Sequence, residues 1–248
     1  MFSRQVELPF DSTRLPTEEG ELTLRRSSRA RRLALRVHLD GRVEVVVPPG
    51  VSSNAVLAFV GRHREWLQRK LGERAVAPEP RPFPPATLEL PALDQRFRLH
   101  LSAGRGRPRV QQSAPGVLSL SGDASADRAA TQRALLVWLT AHLQADWQQR
   151  LSTLADEMAL RFSRLQLRRQ RTRWGSCSSR GVISLNVCAA FQPPEVLRYL
   201  MVHELVHLRH MNHSTAFWSS VSERCPDYRR LDRELNRGWR NVPHWVFE

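Results

Sequence analysis

One stretch of the sequence constrains the fold more than any other: residues 123–160 contain neither glycine nor proline. Large apolar side chains recur along this stretch at the three- and four-residue spacing of one helix face, which is typical of a helix packed on a core. They are Leu136, Leu139, Leu143, Trp147, Leu151, Leu154 and Met158. We therefore predict an α+β protein. In it, a long helix connects a β-rich N-terminal subdomain with one helix, residues 1–122, to a helical domain, residues 123–248.

The N-terminal subdomain begins with a predicted β-hairpin. Extended runs at 33–38 and 42–47 are joined by Asp40-Gly41, a dipeptide that favours tight turns because it tolerates positive φ. A helix capped by Ser52 or Ser53 is expected to follow and to pack one face on the hairpin. Five prolines in residues 78–85 indicate a linker. Strands near 95–101 and 117–120 are expected to extend the same small mixed sheet, with a separate sheet as the alternative.

Composition indicates a folded and strongly basic protein. Hydrophobic residues make up 41% of the chain, which excludes disorder throughout, and the net charge of +14 favours an anionic partner. Because no run reaches the ~18 to 20 apolar residues of a membrane span, we expect no membrane contact. The first ten residues lack the pattern of a signal peptide, so we expect a cytoplasmic protein. The three cysteines contain no Cys-x-x-Cys pair, and we expect reduced thiols.

The pattern H-E-x-x-H occurs at residues 203–207, which read HELVH. A second hairpin, with strands at 170–178 and 182–187, precedes it, and Pro193-Pro194-Glu195 favours a helix start. On a helix, His203 and His207 lie on one face, one turn apart, so both can bind one metal ion while Glu204 lies beside them. The pattern therefore predicts two metal ligands and a general base.

A catalytic zinc ion needs a third protein ligand. His213 is our preferred ligand because residues 212–214 are expected to form the turn between two helices, and Glu223 is the alternative. The spacing from His203 to His213 is also that of metzincins, but His210 stands where their pattern has glycine and no Met-turn follows.

Several segments together resemble one known family. They are RWGSC at 173–177, ISLN at 183–186, HELVH at 203–207, and NHS at 212–214 with Phe217-Trp218. These segments are similar to the YgjP-like metallopeptidase-domain family, which is related to the SprT and WLM zinc peptidases. The resemblance implies a minimal zincin fold in which His203, His207 and His213 bind zinc and Glu204 is the base.

The leading functional hypothesis is a zinc-dependent metallopeptidase. Zinc lowers the pKa of its bound water to about 7, Glu204 accepts the proton, and the hydroxide attacks a peptide carbonyl. The strand before the helix is expected to bind an extended peptide or protein segment by strand addition, and a glycine there permits close approach. The predicted substrate-binding residues are Arg171, Arg173, Trp174, Gly175, Ser176 and Cys177.

Two alternatives remain open because arginine is concentrated in acid-free stretches. Residues 158–194 contain seven arginines and residues 22–39 contain six, without an acidic residue in either. The second hypothesis is a metal-dependent phosphoanhydride hydrolase, a nucleoside triphosphate pyrophosphatase whose Arg-rich strand binds phosphates. The third is a non-enzymatic basic module that binds nucleic acid and holds structural zinc. The presence of Glu204 argues against the third, because a structural zinc site needs a fourth ligand and no base.

Overall fold

The computed structural model describes residues 14–17, 20–37, 42–75, 82–102, 104–123 and 127–247. The chain forms two compact units, Met1–Pro80 and Arg81–Glu248. Within these described ranges, no helix has both the length and the hydropathy that crossing a membrane requires.

The first unit contains a four-stranded sheet and two helices. These elements are β1 (Arg14–Thr17), β2 (Gly20–Arg26), β3 (Ala34–Val37), β4 (Val43–Val47), α1 (Ser53–Arg62) and α2 (Arg64–Ala75). The strand order is β1-β2-β4-β3, in which β2 and β4 are parallel and the other pairs antiparallel. Strands β3 and β4 form the predicted hairpin, whose turn dipeptide lies outside the described residues. Helices α1 and α2 bury Val56, Val60 and Leu67 in the same core as Val45 of β4.

The predicted single helix of this unit is two helices, because the chain breaks at His63. Ser52 caps α1 as predicted, since its hydroxyl accepts from the Ala55 N–H at 3.3 Å. The ring Nδ1 of His63 lies 2.8 Å from the Phe59 carbonyl and so occupies the acceptor that the His63 backbone N–H would use in a continuous helix. That N–H donates instead to Val60, and the helix ends.

The second unit begins with another four-stranded sheet. Its strands are β5 (Thr87–Leu90), β6 (Gln95–Leu101), β7 (Arg109–Ala114) and β8 (Val117–Ser121), in the order β5-β6-β8-β7. The expectation that β6 and β8 extend the first sheet is therefore wrong, and the alternative of a separate sheet is confirmed. Leu88, Phe97 and Leu118 belong to the same core as Leu135 and Leu139 of the long helix. The compact units consequently divide after residue 80, whereas the sequence placed the boundary after residue 122.

The long helix is α3 (Arg128–Glu157), which starts where the Asp127 carboxylate accepts from the Ala130 N–H at 2.8 Å. Its predicted apolar stripe is buried, apart from the half-buried Leu136. The helix ends at Met158, ahead of Ala159, whose φ of 50° is outside the helical region.

The remaining elements surround one central helix. A three-stranded sheet, β9 (Arg164–Arg168), β10 (Gly175–Cys177) and β11 (Val182–Asn186), is followed by α4 (Pro194–Val206), α5 (Thr215–Arg224) and α6 (Tyr228–Arg237). Strands β10 and β11 form the predicted second hairpin, and the order β10-β11-β9 places β10 at an edge. Helix α4 packs against α3, α5, α6, β10 and β11. The core of the second unit therefore lies around α4.

Candidate metal centre

Helix α4 carries the first two histidines of the candidate site. His203 is in its last turn, and His207 follows directly after Val206 with φ −62° and ψ −17°, which are still helical. The four-residue spacing therefore keeps the two imidazoles on one side, with ring centroids 5.0 Å apart.

His213 reaches the same place from the turn between α4 and α5. Ser214 caps α5 through its hydroxyl, which accepts from the Phe217 N–H at 3.4 Å, and His213 directly precedes this cap. The His213 ring centroid lies 5.0 Å from that of His203 and 4.7 Å from that of His207. The turn thus completes a triangle of imidazoles that the sequence assigned to one metal ion.

The donor set of this triangle fits a zinc ion. One nitrogen from each ring lies within 4.8 Å of the others, and Nε2 of His203 is 3.1 Å from Nε2 of His213. Two nitrogens bound to zinc at 2.0–2.1 Å with a tetrahedral angle are about 3.3 Å apart. Among the described residues no other group of three potential ligands is this close. The alternative ligand Glu223 is exposed and is not part of the cluster.

The helix histidines are in the neutral form that binds metals. Burial, together with the neighbouring His207 and His213, lowers the pKa of His203 to about 3. Burial also lowers the pKa of His207, although a hydrogen bond to the His210 carbonyl partly opposes this. Neutral imidazole has a lone pair on one ring nitrogen, so both rings can bind a cation at neutral pH.

Two aromatic side chains of α5 support the three imidazoles. The buried Phe217 ring has its centroid 4.9, 4.6 and 4.7 Å from those of His203, His207 and His213. Trp218 lies beside His203 and His213, at 5.9 and 5.6 Å. Neither aromatic was predicted from the sequence to have a role in the site. Their position three and four residues after the capping serine is the signal that could have identified them.

Glu204 is enclosed by the protein. Its side chain is 4% exposed, burial raises its pKa to about 8, and its Oε2 has no hydrogen-bond partner among the described residues. A buried polar atom without a partner costs free energy and is typical of functional sites. Glycine at position 175 makes room for this carboxyl group, because a Cβ there would lie 2.8 Å from both Cγ and Cδ of Glu204.

The edge strand β10 presents backbone groups beside Glu204. The Asn186 N–H donates to the Trp174 carbonyl at 2.7 Å, and the Ser178 N–H donates to the Val182 carbonyl at 3.0 Å. Hydrogen-bonded and non-bonded positions alternate along an antiparallel pair. Gly175 and Cys177 therefore direct their N–H and C=O groups away from β11. The described part of the chain places no strand on that side.

The other predicted substrate-binding residues are spread over different environments. Arg171 donates to the Phe247 carbonyl and lies over the Phe247 ring, so its guanidinium holds the C-terminal segment. Trp174 is 8% exposed and stacks on Trp239 with centroids 4.1 Å apart, so it belongs to the core.

The three remaining predicted side chains are those of Arg173, Ser176 and Cys177. Arg173 is exposed, whereas Ser176 and Cys177 are half-buried. Burial and the charge of Glu204 raise the pKa of Cys177 to about 11, so its thiol is protonated at neutral pH.

The sequence model of the family described as "YgjP-like, metallopeptidase domain" matches residues 31–238. No curated protein matches significantly. Similar solved structures include the metallopeptidase zymogen of abylysin from Pyrococcus abyssi, at 23% identity and a TM-score of 0.33, covering 36% of this chain and 91% of that chain. The zymogen of jannalysin from Methanocaldococcus jannaschii has 15% identity and a TM-score of 0.33, covering 37% and 94%.

The family match confirms the resemblance inferred from the sequence and implies a divalent metal and a peptide or protein substrate. It offers no support for a nucleotide or nucleic-acid partner. Because the match extends over well more than half of the chain, the protein is a metal-dependent hydrolase and belongs to the YgjP-like metallopeptidase-domain family.

Proposed function

We propose that the protein is a zinc-dependent metallopeptidase in which Glu204 is the general base. The observation that carries this proposal is the juxtaposition of Glu204 with the histidine triangle. A buried carboxyl group with an unpartnered oxygen lies next in sequence to one of three imidazoles whose nitrogens converge within 4.8 Å. A structural metal site would need a fourth protein ligand and would have no use for such a carboxyl group.

His203, His207 and His213 would hold the metal. The convergence of their nitrogens, and the exposed position of Glu223 away from them, favour His213 as the third ligand. Bound zinc supplies Lewis acidity, which makes water more acidic and a peptide carbonyl more electrophilic.

Glu204 moves the proton in this mechanism. Its enclosure against Gly175 withholds water from the carboxylate, so it is a stronger base than an exposed glutamate, and the positive charge of bound zinc would favour the ionised form that accepts a proton. Glu204 accepts a proton from the attacking water and donates it to the leaving amine nitrogen. General acid–base catalysis of this kind contributes about 10²- to 10⁴-fold to the rate.

The peptide substrate would lie along the open edge of β10. The outward N–H and C=O groups of Gly175 and Cys177 can pair with an extended segment, which places a peptide carbonyl next to Glu204. Such pairing uses only backbone groups, so it accepts many sequences. Of the predicted substrate-binding residues, we retain Arg173, Gly175, Ser176 and Cys177 in this role, and we assign Arg171 and Trp174 to the fold.

The test compares Glu204→Gln with the wild type for metal content and for cleavage of an unfolded protein. Both proteins should carry one zinc ion per chain, and the variant should lose about 10²- to 10⁴-fold in turnover. Glu223→Gln is the matched control, because it makes the same change at an exposed position of α5, and it should keep both zinc and activity.

A panel of nucleoside triphosphates is assayed in parallel. Hydrolysis of triphosphates without cleavage of protein would overturn the peptidase proposal. Full activity of Glu204→Gln would overturn the assignment of the base. Loss of zinc in Glu223→Gln would show that Glu223, and not His213, is the third metal ligand.

A further inference from the structure

A tyrosine and an aspartate connect one histidine of the triangle to the last helix. Tyr199 lies one turn before His203 on α4 and is fully buried. Its hydroxyl donates to Oδ1 of Asp232 on α6 at 2.9 Å. The same hydroxyl oxygen is 3.4 Å from Nδ1 of His203. These three side chains therefore form a row from α6 to the candidate metal site.

The row has one consistent direction of donation. Nε2 of His203 faces Nε2 of His213, so Nδ1 is the ring nitrogen that points away from the triangle. In a neutral imidazole whose Nε2 lone pair is used for a metal, Nδ1 carries the proton and donates. The Tyr199 oxygen accepts this hydrogen bond from Nδ1 of His203. The Tyr199 hydroxyl donates its own proton to Asp232. A phenol carries its proton at neutral pH, so the hydroxyl can donate to Asp232 as this arrangement requires.

Helix α6 holds Asp232 in place. Leu231 and Leu235 of this helix are buried in the core around α4, which fixes the helix phase and turns the half-buried Asp232 toward Tyr199. The second carboxylate oxygen of Asp232 accepts from Asn236 at 3.1 Å. Both oxygens are therefore engaged, and the carboxylate has a defined orientation.

The second helix histidine is oriented by different means. Nδ1 of His207 donates to the backbone carbonyl of His210 at 2.9 Å. A backbone carbonyl is present whatever the residue type, so no substitution removes this partner directly. His203, in contrast, depends on two side chains, and its orientation can be tested by mutation.

We propose that Tyr199 and Asp232 are positioning residues that fix the tautomer and ring orientation of His203 for metal binding. The inference rests on the proposed role of His203 as a metal ligand. Outer partners of metal-binding histidines typically change metal affinity by about 10- to 100-fold when they are removed. Part of the metal affinity of the site is thus determined by α6, which contributes no ligand of its own.

The experiment measures the affinity of the metal-free full chain for zinc by competition with a chromophoric chelator. Tyr199→Phe removes only the hydroxyl and should weaken zinc binding about 10- to 100-fold. Asp232→Ala should have a comparable effect, and Asp232→Asn a smaller one, because its amide oxygen still accepts from the tyrosine. Asp227→Asn is the control on the same region of the chain. The exposed carboxylate of Asp227 lies 3.9 Å from the Arg230 guanidinium, so the zinc affinity of this variant should equal that of the wild type.

Two further readouts separate positioning from a general effect on folding. Thermal unfolding of each metal-free variant shows whether the fold is retained, and the visible spectrum of bound Co²⁺ reports ligand geometry. Tyr199→Phe should change the Co²⁺ spectrum, whereas Asp227→Asn should not. If Tyr199→Phe does not fold, the two Asp232 variants carry the test.

The outcomes distinguish this proposal from the proposed function. Zinc affinity within twofold of the wild type in folded Tyr199→Phe and Asp232→Ala would overturn the positioning role while leaving the metallopeptidase proposal intact. A wild-type chain that binds no zinc through His203 would overturn both.

Discussion

The close contact between Gly175 and Glu204 predicts that Gly175→Ala, which adds one methyl group, will strongly reduce activity. A Cβ at position 175 would come closest to Glu204 Oε1 and would lie 2.8 Å from Glu204 Cδ, whereas ordinary contact begins at 3.4 Å, so the gap must open by more than about 0.6 Å. Glu204 is buried, and therefore either its carboxyl group or the edge strand has to move. Both movements separate the proposed general base, Glu204, from the proposed substrate-binding strand, β10.

The size of the effect follows from this displacement. Overpacking of a buried contact costs about 1–3 kcal/mol of unfolding free energy. For a unit of this size, that cost corresponds to a fall of roughly 2 to 12 °C in melting temperature. A misplacement of about 1 Å in an active site can cost about 10²-fold in rate, so a loss of about 10- to 100-fold in kcat/KM is expected for Gly175→Ala. The histidines are not displaced, and zinc content should be unchanged.

The assay measures protein cleavage, metal content and thermal unfolding. Gly175→Ala is made both in the wild-type chain and in the Glu204→Gln variant. Glu204→Gln has nearly the same shape, so Gly175→Ala should destabilise that variant equally without a further loss of activity. Gly61→Ala is the matched control, because among the described residues no atom beyond the neighbouring helix backbone lies within 4 Å of a Cβ at that helical position. It should be neutral or more stable by up to about 1 kcal/mol. Wild-type stability and activity in Gly175→Ala would refute the reasoning.

Three more predictions concern the surroundings of the site. Asn186→Ala removes hydrogen bonds to the carbonyls of Gln170 and Arg173, both at 2.7 Å, and one from the Cys188 N–H, and should cost about 3 kcal/mol in a denaturant titration. A cost below 1 kcal/mol would contradict a role in holding the segment before β10. Removal of the metal with a chelator should abolish protein cleavage and lower the melting temperature, and added zinc should restore both. Cys177, with a pKa raised to about 11 against 9.0, should have a roughly 100-fold smaller thiolate fraction at pH 8 and be alkylated slowly in the native protein. Alkylation at the rate of a free thiol would contradict the burial of that side chain.

Local features of the second unit could be predicted from the sequence because their causes are local. The apolar stripe of α3, the hairpin of β10 and β11, and the proline-led start of α4 depend on neighbouring residues, and each was predicted at its observed place, although β10 (Gly175–Cys177) is much shorter than the predicted strand at 170–178. The three histidines and Glu204 were selected from residue type and spacing alone. Their spacing on a helix, and a capping serine at position 214, were sufficient to expect that the imidazoles converge.

Long-range contacts were not predictable in the same way. The separate sheet of β5 to β8 depends on which core its apolar face joins, and hydrophobic alternation does not specify a partner. Arg171 was expected at the substrate, but the fold places the Phe247 carbonyl within its reach, and the guanidinium binds there.

The sequence thus determined which chemical groups are present in the site. The tertiary structure determined which side chains contact and orient them. Residue types established that a metal and a base could act together, because imidazole nitrogens and a carboxylate have those properties in any fold. Only the packing of β10 and α6 against α4 placed Gly175 on Glu204 and Asp232 behind Tyr199. These pairs are distant in sequence, and their contacts depend on how the helices and strands stack, which no local pattern encodes.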